Sequence, residues 1–136
     1  MAVLRSKTVS VSIDRPPAGV YDFVSNPENF SQWVTSFVRS VRRSGADWVL
    51  ETRDGPLGLR FVERNPFGVL DHYVAVAPGI EILVPMRVVP NGDGSDVLLT
   101  LVETPGMSAA KFEEDASMIQ RDLLTLKTVL EHRRGQ

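Results

Sequence analysis

The chain has no cysteine and only two histidines among its 136 residues. Without thiols there is no disulfide, no thiolate nucleophile and no cysteine metal site. Two imidazoles with no His-x-x-x-His spacing are too few to close a structural or catalytic zinc site, so no metal is expected. Charge of one sign is also scarce: 15 Lys and Arg stand against 17 Asp and Glu, a net charge of −2. No field draws nucleic acid or an anionic membrane, and nucleic-acid binding is not expected. No segment nears the ~20 apolar residues of a membrane span, so no stable membrane insertion is expected. Behind Arg5 and Lys7 the stretch Met1 to Ser10 carries no apolar run, which makes a cytoplasmic location the expectation. Gly-x-Gly-x-x-Gly, Gly-x-x-x-x-Gly-Lys and Gly-x-Ser-x-Gly are all missing. Nucleotide cofactors and serine-hydrolase chemistry therefore lack support, and no cofactor is expected.

What is present is a 43% hydrophobic share, enough for one globular domain over 1–136. From Ala109 to Leu130 the residues Ala109, Phe112, Ala116, Ile119, Leu123, Leu126 and Leu130 recur at steps of three and four, the stripe of a long amphipathic helix. Ser108 is placed to cap it. Glu113, Glu114 and Asp115 come early and Lys127, Arg133 and Arg134 late, as the macrodipole favours. At the other end, Val9, Val11 and Ile13 alternate with Thr8, Ser10 and Ser12 as a first strand, which Asp14-Arg15-Pro16-Pro17 stops. Two short helices follow, the first with Val20, Tyr21 and Val24 on one side. The second restarts at Asn26-Pro27 and carries Phe30 and Trp33.

Turn signals at Ser44-Gly45, Asp54-Gly55-Pro56, Asn65-Pro66-Phe67-Gly68, Ala77-Pro78-Gly79 and Asn91-Gly92-Asp93-Gly94 then divide six extended runs. These are 37–43, 47–53, 57–64, 68–76, 80–89 and 96–104, an antiparallel meander. A sheet of this kind with one long helix after it buries the helical stripe across its concave side. That arrangement points to an enclosed ligand site. Self-association through the helical stripe is the competing use of the same pattern, so both monomer and homodimer stay open.

The stretch Asp14-Arg-Pro-Pro-Ala-Gly-Val-Tyr-Asp-Phe-Val-Ser-Asn-Pro-Glu-Asn-Phe-Ser-Gln-Trp33, with this element order over the whole chain, resembles the START-like (SRPBCC, helix-grip, Bet v 1-like) superfamily. It is most similar to the polyketide cyclase/dehydrase-like branch. The runs Phe67-Gly-Val-Leu-Asp-His-Tyr73, Pro85-Met-Arg-Val88 and Pro105-Gly-Met-Ser108 look like an uncharacterised bacterial subgroup of it. The resemblance implies an α+β helix-grip fold, a seven-stranded antiparallel sheet wrapped around the C-terminal helix. It also implies an apolar cavity that takes lipids, sterols, polyketides, hormones or aromatic molecules.

Alternation sorts the candidate site. Leu70, His72, Val74 and Val76 share one face of their run, matched by Ile80, Ile82, Val84, Met86 and Val88 in the next. That face is expected to look inward, and Asp71, Tyr73, Glu81 and Arg87 to look outward. His72 is then the lone ionisable group on an apolar wall, the candidate to polarise a ligand or shuttle a proton. Asp71 is its neighbour but points to the opposite face, so an Asp71–His72 dyad is not expected. Tyr21, Trp33, Phe37, Trp48 and Phe61 are candidate pocket aromatics, with Val74, Val84, Met86, Phe112, Ile119 and Leu123 as apolar lining. Each of these serves equally as plain core. Arg39, Arg42 and Arg43 form a basic cluster that a solvated strand face explains. The reading is a small hydrophobic ligand as partner, with a cyclase- or dehydratase-type enzyme using His72, or a protein-interaction module, as alternatives.

Overall fold

A computed structural model describes residues 3–133; Arg134, expected near the helix end, lies outside them. The strands are β1 (Ser6–Ile13), β2 (Val38–Ser44), β3 (Asp47–Thr52), β4 (Gly55–Phe61), β5 (His72–Ala77), β6 (Ile80–Val84), β7 (Met86–Asn91) and β8 (Gly94–Val102). The helices are α1 (Pro17–Val24), α2 (Phe30–Trp33) and α3 (Ala109–Glu131), with a 3₁₀ turn at Pro27–Asn29 before α2. Asn26 caps that turn through its side chain, which accepts from the Glu28 N–H at 3.1 Å. Ser108 caps α3 by accepting from Lys111 N at 3.0 Å. The caps fall where the sequence restarts the second helix, at Asn26-Pro27, and where it places Ser108 before the long one.

The expected single seven-stranded sheet is instead two antiparallel sheets, β1-β8-β7 and β2-β3-β4-β5-β6. The run 80–89 breaks at Pro85. Having no N–H, Pro85 cannot carry the ladder, and β6 stays in the five-stranded sheet while β7 crosses to the other. The run 68–76 divides at the same level. Gly68–Leu70 lies beside β7, with Val88 N bonded to Gly68 O at 3.0 Å and Leu70 N to Met86 O at 2.9 Å, before the chain enters β5. Gly68 has φ +72°, and a Cβ there would stand 2.2 Å from Val88 O, so this seam requires glycine.

Asp71 closes the gap that Pro85 opens. Its carboxylate accepts from the Met86 N–H at 2.9 Å and from the Arg87 guanidinium, doing at the break what a ladder partner does elsewhere.

The helix α3 runs beside β1 in the same direction and also packs against α2. Near its start Glu113 meets Lys7 at 3.6 Å; near its end Lys127 Nζ donates to Ser12 O at 2.8 Å, and Glu131 accepts from Asp14 N at 2.8 Å. Its stripe is buried as expected except at Ala109, which is exposed, and Ile119, which is half-buried. Leu123, Leu126 and Leu130 share one core with Leu50 and Leu59 of the five-stranded sheet and Val9, Val97 and Leu99 of the three-stranded one. Each such side chain contributes about 1.5–3 kcal/mol by leaving water.

Candidate functional site

Residues directly opposite in an antiparallel pair share a face, so the register writes out the inner surface of the five-stranded sheet. Val41, Leu50 and Leu57 make one row. Arg43, Trp48, Leu59, Val74 and Ile82 make the next, and Phe61, His72 and Val84 a third. Leu50, Leu59 and His72 are buried, but Val41, Trp48, Leu57, Phe61, Val74, Ile82 and Val84 are only half-buried. The three-stranded sheet differs: Val9, Val11, Ile13, Met86, Val88, Val97 and Leu99 are all buried. The cause is the placement of the helices. α3 lies on β1, and α1 lies over β7 and β8. The five-stranded sheet is left with an apolar trough that the core fills only in part.

Toward the β5–β6 turn the expected inner face does not hold. The pairing slips between Ala75 and Ala77, and Val76 and Ile80 end up exposed, because a bulge re-aims the side chains beyond it. The opposite set is outside as expected. Arg60 lies 4.2 Å over the Tyr73 ring and pairs with Glu81 at 2.9 Å, and Arg87 pairs with Asp71.

His72 is 4% exposed. Its ring packs against Phe61, with centroids 4.9 Å apart, and edge-on to Phe30 at 5.5 Å. Phe30 in turn meets Trp33 at 5.4 Å and Phe61 at 5.7 Å. The His72 Nδ1 stands 3.0 Å from the carbonyl of Leu70. A carbonyl only accepts, so Nδ1 carries the proton and Nε2 presents a lone pair. Burial pushes the imidazole below its ordinary value, against the Leu70 carbonyl and Asp71, which favour the charged form. The ring is therefore neutral near pH 7. Asp71 is spent on Met86 and Arg87, so no acid–base dyad forms.

The other expected residues scatter. Trp48, Phe61, Val74 and Val84 are half-buried and border the trough, Ile119 of α3 is half-buried against the same core, and Leu123 is sealed within it. Trp33 is buried beside Phe30, and its Nε1 is a fully enclosed side-chain donor without a partner among the described residues. Met86 is buried on β7. Phe112 is buried beneath the Arg5 guanidinium, 4.6 Å from its ring centre. Phe37 stands at the surface, 39% exposed. Tyr21 faces elsewhere: its hydroxyl accepts from Asn65 N at 2.9 Å, and Arg64 covers its ring at 4.9 Å.

Two open clefts stand out among the described residues. One, of about 430 Å³, lies between Tyr21, the Arg64–Gly68 segment and Val88. The other, of about 840 Å³, lies on the outer face around Tyr73, Ala75 and Leu83. Neither contains His72. Among the described residues no group of three His, Asp or Glu side chains is placed to hold a metal ion. No helix among them is long and apolar enough to cross a membrane.

Residues 5–131 match the sequence model of a family described as polyketide cyclase / dehydrase and lipid transport. The chain belongs to this family. No curated protein matches the chain. Among solved structures it is similar to XoxI of Bacillus cereus, at 15% identity and a TM-score of 0.73 over 96% of this chain and 100% of that one. It is also similar to Ara h 8.0201, at 10% identity and a TM-score of 0.71 over 96% and 99% of the two chains. DynU16, a protein of the dynemicin biosynthetic locus, shares 18% identity at a TM-score of 0.71 over 93% of this chain and 47% of its own. At such identities the likeness shows the fold alone: the Bet v 1-like, SRPBCC architecture. For a member of this family, fold and family together suggest a ligand-binding or cyclase-type role without fixing either.

One polar residue of this family member is buried more deeply than the edge of the helical stripe, where the sequence places it. Asp122 of α3 is 6% exposed and accepts from Ser36 Oγ at 2.6 Å and from Ser36 N at 3.1 Å, tying the segment before β2 to the helix. Burial raises its carboxyl above the ordinary 3.8, and the Ser36 donors oppose that rise. Its signal is in the spacing, because Asp122 sits three residues after Ile119 and four before Leu126, on the buried stripe.

Proposed function

We propose that the protein binds a small hydrophobic molecule, lipid-like, polyketide-like or aromatic, in the trough between the five-stranded sheet and α3. The half-buried side chains of Trp48, Leu57, Phe61, Val74 and Val84, spread over the three rows of one sheet face, carry the reading. Folding leaves this apolar area wet, and a ligand that covers it gains about 25 cal/mol per Å². Surrounding Leu50, Leu59 and Leu123 are sealed, which gives the trough a firm floor. The test is calorimetric titration with naphthalene. Saturable binding that Val74→Phe removes and Leu83→Ala on the outer face leaves intact supports the proposal. Binding that ignores Val74→Phe, or no binding, overturns it.

A cyclase- or dehydratase-type reaction is the second reading, favoured by the neutral His72 ring with its free Nε2 on the trough wall. Among the described residues no second titratable group stands beside His72, since Asp71 is committed to Arg87 and Glu103 to Arg5. A reaction there would rest on positioning and one proton acceptor.

A further inference from the structure

His72 raises a question of hydrogen-bond direction. Its Nδ1 proton is given to Leu70 O at 3.0 Å, which leaves Nε2 only a lone pair to offer. Among the described residues nothing donates to that lone pair. The residue is buried, 4% exposed, so the lone pair is held away from bulk water. The ring stands in the row Phe61–His72–Val84 with Phe30 edge-on to it, so its surroundings are apolar. Asp71 points to the other side, and the guanidinium on this face, Arg43, sits at the far end of the neighbouring row, 5.2 Å over the Trp48 ring.

We infer that the molecule bound in the trough carries a hydroxyl, which it donates to Nε2 of His72. This rests on the trough being the ligand site and adds the chemical class of its occupant: an apolar alcohol or phenol. An ether, ketone or carboxylate brings a second acceptor to an acceptor, with no cation at that end of the trough to relieve it. A hydrocarbon leaves Nε2 unpaired in apolar surroundings. A site built to hold one hydroxyl discriminates against analogues lacking it more strongly than one shaped by apolar contacts alone.

The experiment is a comparison of matched probes, 1-naphthol, 1-methoxynaphthalene and naphthalene, by calorimetry at pH 7.5. In the wild-type protein 1-naphthol is expected to bind about ten-fold tighter than 1-methoxynaphthalene, the size of one buried hydrogen bond made or missed. His72→Phe is expected to bring that ratio to near one, while His72→Gln, which keeps an acceptor, retains a preference. Nitrogen-15 imidazole spectra of the wild type give a second reading that needs no variant: Nδ1 protonated in the free protein, and Nε2 shifting on addition of 1-naphthol.

Equal affinities for 1-naphthol and 1-methoxynaphthalene in the wild type overturn the hydroxyl assignment while leaving the apolar trough standing. A proton found on Nε2 rather than Nδ1 does the same. If none of the three probes binds, the trough itself is not the site, and the inference falls with it.

Discussion

Replacing Asp71 by alanine tests why the two sheets separate where they do. The Asp71 carboxylate takes the Met86 N–H at 2.9 Å and holds Arg87, just past a proline that has no N–H of its own. Removing it leaves a part-buried backbone donor without a partner, at about 1–3 kcal/mol. The Arg87 pair adds at most about 1 kcal/mol, because its guanidinium is exposed. Together these give a loss of about 2–3 kcal/mol, or roughly 10 °C in thermal midpoint for a domain of this length. Asp71→Asn keeps an oxygen for Met86 and loses only the charge, so its loss is expected near 1 kcal/mol. Arg87→Ala is expected to lose less than about 1 kcal/mol. Urea unfolding of the three variants measures the series. If Asp71→Ala unfolds within about 0.5 kcal/mol of wild type, or Asp71→Asn matches Asp71→Ala, the carboxylate is not what bridges the break.

Further expectations follow from single sites. Gly68→Ala places a Cβ against Val88 O at a φ of +72°; unfolding should show a loss of at least about 2 kcal/mol. Leu123→Ala, fully buried on α3, should lose 2–5 kcal/mol by order of magnitude, again by urea unfolding. His72 is depressed by burial from an ordinary 6.5, so the unfolded chain binds its proton first. The stability it supports is present above the unfolded value and is lost as pH falls below it. His72→Phe should flatten that slope between pH 7 and 5. For Asp122 the sign reverses. Its folded value is raised above 3.8, so its contribution is full at low pH and is lost as pH rises through the folded value. Wild type should therefore lose stability relative to Asp122→Asn, which stays neutral, over that rise; a constant difference contradicts the assignment.

Local chemistry made much of the fold readable. The stripe of α3, the caps Asn26 and Ser108, and the meander of hairpins all follow from neighbouring residues, and each appears in the structure. The break at Pro85 is harder to see because alternation stays in phase across it. Ile82, Val84, Met86 and Val88 keep one parity, although the first two belong to one sheet and the last two to the other. The bulge beyond Ala75 exposes Val76 and Ile80 for a related reason: pairing register is a property of two strands, and a one-residue slip leaves no mark in either. His72 on the inner wall was legible from period two alone. The proton on its Nδ1 was not, since that depends on the Leu70 carbonyl turning toward the ring. Asp122 and Ser36 lie 86 residues apart, and only the folded chain brings them together.

Intermolecular nuclear Overhauser contacts between 1-naphthol and the methyl groups of the protein examine the trough most directly. The account predicts contacts to Leu57, Val74, Ile82 and Val84 on the sheet and to Ile119 on α3, in one saturable complex. Contacts confined to Leu83 and Val76 on the outer face, or to Val88 beside Tyr21, would contradict it.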